Sequence, residues 1–167
     1  MARFDDVKAR ALSFLLDKNP DYAPVGIAHL GYAACLCALI ARARGLDMEL
    51  AQTAGYLHDL WLHWHHPYDA ETARRHASEG AILAEGMLRE TRAYTDDEIY
   101  TVRRMIENHD FTDQTHDGMS EVMKDADMLS HYLNASAAGR ECEFHPRAAK
   151  VLAELNADLD ISAPRGV

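Results

Sequence analysis

The sequence predicts an all-α protein that folds as one compact helical bundle. Apolar residues recur at helical spacing along most of the chain, and no stretch alternates apolar and polar residues as a strand would. With 167 residues, 48% of them hydrophobic and 26% charged, the chain has the composition of a soluble domain that can bury a core. No repeat, low-complexity tract or linker divides it, so we expect a single domain over residues 1–167.

The first two predicted helices differ in how much of their surface is apolar. The first is amphipathic and ends near Asn19 and Pro20, with one apolar face formed by Phe4, Val7, Ala11 and Phe14. The second, from Val25 to Ala41, is apolar almost all round and stops near Gly45. Its length is at the lower limit for a membrane span. A helix of this kind also suits the centre of a soluble bundle, and we adopt that interpretation.

Five further helices are expected after Gly45. Asp47 is suited to cap a third helix that runs to about Leu62, because Pro67 prevents easy continuation. A fourth covers His76 to Arg89, and a capping-box pattern of Thr95 and Glu98 opens a fifth. A polar loop at 112–118 separates these from helices near 120–133 and 146–159.

Charge and cysteine content exclude some classes of function. The formal net charge is −10, and no basic stripe is present, so we expect no binding to a nucleic-acid backbone. The three cysteines do not form a disulfide pattern, and no signal-peptide pattern stands at the N-terminus, so we expect a cytoplasmic protein without a membrane anchor. An acidic protein that binds an anionic substrate needs local positive charge, which bound metal would supply.

Several polar side chains fall on apolar helix faces. His29 shares a face with Ala33, Leu36 and Ile40, and Asp127 lies among Met123, Ala126 and Met128. His58 and His109 each continue an apolar ridge. A single buried histidine is usually only hydrogen-bonded to a neighbouring carbonyl, but an unpaired buried carboxylate is costly. Several such residues on separate helices suggest one common partner, for which a divalent metal is suited.

The pair His-Asp occurs three times, at residues 58–59, 109–110 and 116–117, so the pair alone does not locate a site. The stretch "YLHDLWLHWHHPYD" around the first pair adds three more histidines, His63, His65 and His66. The order and spacing of the other histidines and aspartates are needed to choose among the three pairs.

That order resembles the HD-domain superfamily of metal-dependent phosphohydrolases. The resemblance covers roughly residues 25–134 and is carried by "AHLGYAACLCALIARARGLDMELAQTAGYLHDL", "HASEGAILAEGML", "DDEIYTVRRMIENH" and "MKDADMLS". It implies an all-α fold, a first metal held by His29, His58, Asp59 and Asp127, and a second metal held by His76 and His109. Asp59 would bridge the two metals and act in catalysis. Among the three pairs, the resemblance selects His58-Asp59.

Charge counting favours two divalent ions over one. The expected ions are iron, manganese or another transition metal, and their identity is left open. One ion against Asp59 and Asp127 sums to zero, whereas two sum to +2 and can attract an anion. The expected reaction is attack of a metal-activated hydroxide on phosphorus. The expected substrate is a small phosphorylated molecule, such as a nucleotide or a dinucleoside polyphosphate.

The chain departs from many HD-family members at Leu62, where they have a lysine three positions after the aspartate. His63 is a candidate to replace it and to contact substrate, with an ordinary polar loop as the alternative. Lys124 and Arg75 are further candidates for phosphate binding, and their alternative is a solvated surface position.

Two other functions remain open from the sequence. The same ligand order on the same fold serves di-iron oxygenases, which a dependence on dioxygen would reveal. A metal-stabilised binding protein without turnover is the other. Residues 140–167 lie outside the resemblance, and their helix is expected to pack either on the domain or on a second subunit of a homo-oligomer.

Overall fold

The computed structural model describes residues 3–137 and 145–159, which form eight helices. The helices are α1 (Arg3–Lys18), α2 (Ala23–Ala43), α3 (Met48–Leu57), α4 (Leu60–Trp64), α5 (Ala70–Thr91), α6 (Asp96–Asn108), α7 (Gly118–Ala137) and α8 (Pro146–Leu159). These residues contain no strand, so the all-α prediction is confirmed. Cys142 and the predicted tail after 159 lie outside the described residues.

Helix α2 lies at the centre of the bundle. It packs against α1, α3, α4, α7 and α8, and its buried side chains include Leu30, Cys37 and Ile40. By length and composition alone, α2 could also cross a membrane. Its packing against five neighbouring helices favours the core-helix interpretation.

The hydrophobic core is continuous from the first helix to the last. It includes Val7 of α1, Leu57 of α3, Met105 of α6 and Leu155 of α8. Helix α8 packs on α7 and α2. The C-terminal helix therefore packs on the same domain, which is one of the two expectations for it.

The third predicted helix is divided in two, which corrects the prediction of one helix to Leu62. Helix α3 ends at Leu57, and α4 begins at Leu60. Between them, the backbone of Asp59 leaves helical geometry, with φ −106° and ψ 13°. Adjacent residues on an unbroken helix point about 100° apart. The break at Asp59 allows His58 and Asp59 to face the same point in the interior.

Helix α5 begins at Ala70, earlier than the predicted start at His76. Its cap is Asp69, whose Oδ1 accepts a hydrogen bond from the Thr72 N–H at 2.8 Å. The capping box of α6 is confirmed, because Thr95 Oγ1 accepts from the Glu98 N–H and Glu98 Oε2 accepts from the Thr95 N–H. The early start of α5 places His76 in its second turn, where the side chain is buried.

Two glycines permit the close helix contacts that position the site. A Cβ on Gly55 of α3 would lie 2.9 Å from Ala34 Cα of α2, so these two helices meet backbone to backbone. A Cβ on Gly80 of α5 would lie 2.9 Å from the carbonyl oxygen of His58. Contacts this short exclude any larger side chain unless the backbone moves. Both glycines therefore help to set how closely the segment that carries His58 packs against α2 and α5.

Candidate metal centre

Five parts of the bundle bring six histidines and aspartates to one interior point, which we call the metal centre. Its residues come from α2, the α3–α4 junction, α5, the end of α6, and α7, and they are His29, His58, Asp59, His76, His109 and Asp127. His58 is completely buried, and Asp59 and His109 are nearly so. All six are the residues that the sequence predicted as metal ligands.

One group of donors surrounds Oδ2 of Asp59. This oxygen lies 3.5 Å from His29 Nε2 and 3.4 Å from His58 Nε2. The two imidazole nitrogens are 3.4 Å apart. On the other side of His58, Asp127 Oδ1 lies 3.4 Å from Nε2. His29, His58 and Asp59 thus form one group of donors, and Asp127 lies beside it against His58.

A second group of donors surrounds Oδ1 of Asp59. This oxygen lies 3.5 Å from His76 Nε2 and 3.6 Å from His109 Nε2, and the two nitrogens are 3.0 Å apart. The carboxylate of Asp59 therefore presents one oxygen to each pair of histidines. Asp59 is therefore shared by the two groups of donors.

Backbone carbonyls orient three of the imidazoles. The Nδ1 atoms of His58, His76 and His109 lie 2.9, 2.6 and 2.6 Å from the carbonyl oxygens of Gly55, Ala73 and Ile106. A carbonyl only accepts, so each Nδ1–H donates, and in the neutral ring the Nε2 lone pair points to the centre. Metal-ligating histidines are typically held by their second nitrogen in this way.

The donor set fits cations. Oδ1 of Asp59 and Oδ1 of Asp127 are buried and have no hydrogen-bond partner among the described residues. Buried carboxylate oxygens are normally hydrogen-bonded or bound to metal. The facing Nε2 atoms of His76 and His109 also need a proton or a cation between them, because both would otherwise present lone pairs at 3.0 Å. We conclude that these residues can hold divalent metal.

The electrostatics of the centre favour positive charge at the same point. Burial alone would lower the pKa of His58, but the carboxylates of Asp59 and Asp127 raise it well above its usual value. Burial alone would raise the pKa of Asp59, but His58, His109 and His29 hold it well below its usual value. Both shifts describe a centre that binds cationic charge.

Asp59 occupies the N-cap position of α4 without capping it. Its carbonyl accepts the first hydrogen bond of that helix, from the His63 N–H at 2.9 Å. Its side chain makes no capping hydrogen bond, although aspartate is among the best N-cap residues. The carboxylate faces the histidines of the metal centre instead, and α4 therefore lacks a side-chain capping hydrogen bond.

The family model for the HD domain matches residues 26–143 of the chain. The protein belongs to the HD-domain family. The match agrees with the all-α fold and with the two groups of donors. Neither the curated proteins nor the solved structures gave a match to this chain.

Two residues of this HD domain that were predicted to contact substrate line neither of the two cavities that border the metal centre. Lys124 is fully buried, and its ammonium donates to Gln114 O, lies 2.6 Å from His116 Nδ1 and pairs with Glu121. It is therefore held within the fold. Arg75 is exposed and pairs with Glu71 and Glu79 on its own helix. The preceding residue, Arg74, lines the cavity next to His76 and His109.

The histidines after Asp59 have three different environments. His63 is buried beside His29 and lines a large cavity. His65 bonds through Nδ1 to Trp61 O and lies against Trp61 and Trp64. His66 stacks on Tyr22, with ring centroids 3.6 Å apart. Leu62 lines both cavities that border the metal centre.

His131, also near Asp127, was not predicted from the sequence as a site residue. Its Nε2 lies 3.4 Å from Asp127 Oδ1, and its side chain lines both cavities that border the metal centre. Asp127 raises the pKa of His131, with burial acting in the opposite direction. A spacing of four residues on one helix could have indicated this pair.

Proposed function

We propose that this HD domain is a phosphohydrolase that depends on two divalent metal ions and cleaves a phosphate ester or anhydride of a small molecule. The observation that carries the proposal is the position of Asp59, whose two oxygens each face a pair of histidines. Cavities that a substrate can enter lie against the same carboxylate.

Each residue of the metal centre would have a defined role in binding the two ions. His29, His58 and Asp127 would hold one ion and His76 and His109 the other, with Asp59 shared as the catalytic ligand. Such ions, when bound, would supply Lewis-acid activation of water and phosphate. The hydrogen bonds of Nδ1 to backbone carbonyls would keep the imidazoles in place during turnover.

Arg74 is the cation of this chain that we assign to the substrate phosphate. It lines the cavity beside His76 and His109, and it makes no hydrogen bond or ion pair within the described chain. Leu62 occupies the position at which many relatives have a lysine. A guanidinium that presents a planar pair of N–H donors suits phosphate oxygens.

The first experiment measures bound metal by mass spectrometry in three proteins. These are the wild type, the His58→Ala, Asp59→Ala variant, and a control in which the other pair is changed, His116→Ala, Asp117→Ala. We expect two equivalents in the wild type and the control, and loss of both in the first variant. Phosphate release from small phosphate esters should fall at least about 100-fold in that variant, more than loss of an outer partner usually costs.

Other outcomes would change the assignment. One equivalent of metal per protein in the wild type would mean that His76 and His109 do not bind a second metal ion. No metal uptake on reconstitution would contradict the proposed reaction. Product formation that requires dioxygen would assign an oxygenase, and unfolding on chelation without any turnover would assign a metal-stabilised binding protein.

A further inference from the structure

His29 is held differently from the other three ligand histidines of the metal centre. In those three, Nδ1 bonds to the backbone carbonyl of the residue three positions earlier in the chain. The pairs are His58 with Gly55, His76 with Ala73, and His109 with Ile106. The corresponding residue for His29 is Gly26, and within the described residues no hydrogen bond joins its carbonyl to the ring. The second nitrogen of His29 therefore lacks the backbone partner that orients the other rings.

The imidazole of His63 lies against the same turn of α2, beside His29. The two ring centroids are 5.2 Å apart, and the ring planes meet at 78°. The ring also packs over Gly26, where an added Cβ would lie 3.0 Å from His63 Cγ. A larger residue at position 26 would displace the imidazole, so this glycine provides the space for His63 next to the metal ligand.

The backbone of His63 is fixed as well. Asn19 Nδ2 donates to three carbonyl oxygens at the end of α4, those of His63, Trp64 and His66, at 3.2, 3.3 and 2.8 Å. The anchored backbone and the contact with α2 leave the imidazole free to rotate about its bond to Cβ. Its distance from His29 stays nearly constant during such a rotation.

Both nitrogens of the His63 ring lack a partner. The residue is 7% exposed, and neither nitrogen makes a hydrogen bond within the described chain. A neutral imidazole carries one donor and one acceptor, and buried polar groups are normally paired. An unpaired imidazole thus lies beside a metal ligand whose second nitrogen has no carbonyl partner.

The separation of the two rings suits a hydrogen bond between their nitrogens. The rings of His29 and His58 have the same centroid separation, 5.2 Å, and their Nε2 atoms are 3.4 Å apart. The rings of His76 and His109 are 4.9 Å apart, with their Nε2 atoms at 3.0 Å. Rotation of the His29 and His63 rings can therefore bring two nitrogens within reach without any movement of the helices.

We infer that His63 is a positioning residue for His29, whose Nδ1–H it accepts, so that the Nε2 lone pair of His29 points to the first ion. Removal of such a partner usually lowers metal affinity about 10–100-fold. This inference rests on the metal binding of the proposed function and not on the reaction. It gives His63 a different role from the substrate contact predicted from the sequence.

The first test measures the affinity of the chelator-treated protein for Mn²⁺ by calorimetry. His63→Phe keeps a ring of similar size and removes both nitrogens, so it should bind one of the two ions at least about tenfold more weakly. His65→Phe is the matched control, since His65 follows in the same segment, bonds to Trp61 O and lines neither cavity that borders the metal centre. Unchanged affinity in His63→Phe, or an equal loss in the control, would overturn the inference.

A double-mutant comparison identifies the ion that is affected. His76→Ala and His29→Ala each leave one of the two groups of donors intact. Adding His63→Phe to His76→Ala should weaken binding of the remaining ion about tenfold, and adding it to His29→Ala should change little. The same loss in both would mean that His63 supports the fold as a whole, which would overturn the inference. A wild type that takes up no Mn²⁺ would contradict the proposed function itself.

The last test needs no variant. In NMR of the wild-type protein loaded with Zn²⁺ and carrying isotope-labelled histidine, the Nδ1–H of His29 should be protected from exchange with water. It should also show a coupling to a ring nitrogen of His63 across the hydrogen bond. A His29 Nδ1–H that exchanges freely and shows no such coupling would overturn the inference. A raised KM in His63→Phe with unchanged Mn²⁺ affinity would do so too, and would return His63 to the substrate.

Discussion

Helix α7 contributes an aspartate to each of two polar clusters that differ in how their charges are paired. Asp127 belongs to the metal centre. Asp125, two residues earlier, belongs to a charge cluster of α2, α7 and α8, consisting of Arg44, Glu121, Lys124, Asp125, Arg147 and Glu154. Both aspartates come from the same apolar stretch, "EVMKDADMLS".

The charge cluster is complete within the chain. Asp125 Oδ2 accepts from Arg44 at 2.6 Å, and its Oδ1 accepts from Arg147 at 2.8 Å. Three cationic and three anionic side chains balance. In the metal centre, by contrast, Oδ1 of Asp59 and Oδ1 of Asp127 have no hydrogen-bond partner in the described structure. A buried carboxylate therefore indicates a ligand site only where one of its oxygens is left without a hydrogen bond.

The largest expected effects on stability and metal binding come from replacing Asp125 and Asp127 with alanine, one at a time. Asp125→Ala removes a buried carboxylate and leaves two half-buried arginines short of a partner, and should cost about 3 kcal/mol of the free energy of unfolding. That is the lower end of the usual range, since Arg44 keeps Glu154 and Arg147 keeps Glu121. The loss should be the same with and without chelator, and bound metal should be unchanged.

Asp127→Ala should behave in the opposite way. It should lose metal, and its instability relative to the wild type should largely disappear when both proteins are treated with chelator. Urea unfolding and metal analysis measure the two properties. A folded Asp125→Ala protein without metal, or a metal-loaded Asp127→Ala protein, would show that the two clusters do not differ as described.

The difference between Asp125 and Asp127 also shows which features of the site could be predicted from the sequence. The cost of burying a carboxylate applies equally to Asp125 and Asp127, so burial alone could not choose between them. The order of residues along the chain, through its resemblance to the HD family, selected Asp127. Helix periodicity and local caps predicted the all-α fold and most helix limits, because these depend on neighbouring residues.

The remaining features depend on contacts between distant residues. The helix break at Asp59 has no proline or glycine at the break itself, so local propensity gave no signal. Lys124 was a candidate for phosphate binding, with a solvated surface position as the alternative, but it is buried and its partners include Gln114 and His116, in the loop before its helix. Arg74 and Arg75 are neighbours, and only the packing of α5 determines which one faces the cavity.

The charge cluster should also give the protein a specific response to acid. Burial would raise the pKa of Glu121, but Lys124, the His116 N–H and Arg147 lower it to about 2 from an ordinary value of 4.5. The folded protein thus holds the charged carboxylate more strongly than the unfolded chain does. This contribution is complete above pH 4.5 and is lost as the pH falls toward 2.

Glu121→Gln tests this contribution. With chelator present, the variant should be less stable than the wild type at pH 7 by about 1–3 kcal/mol, and the difference should shrink as the pH falls from 5 to 3. Denaturant unfolding at several pH values measures it. A difference that stays constant over this range would mean that the pairing of Glu121 does not set its charge state.

The smallest expected effect concerns two neighbouring arginines outside the charge cluster. In that cluster, Arg44 and Arg147 are bound to carboxylates of the chain itself, and Arg75 is likewise paired on the surface. Arg74 lines the cavity beside the metal centre. Arg74→Met should raise KM for a phosphate ester about tenfold and leave bound metal unchanged, because a charge-assisted hydrogen bond is lost.

Arg75→Met is the matched control and should change KM little, since exposed ion pairs contribute little. Steady-state kinetics on the metal-loaded proteins measures both variants. Equal KM values and equal kcat values in the two variants would remove Arg74 from the substrate site. A fall in kcat with unchanged KM for Arg74→Met would place its guanidinium against charge that develops during the reaction and not against the bound substrate. In either case the measurement shows whether Arg74, a cation without a partner in the described chain, contacts the ligand, as we propose that the Oδ1 atoms of Asp59 and Asp127 contact metal.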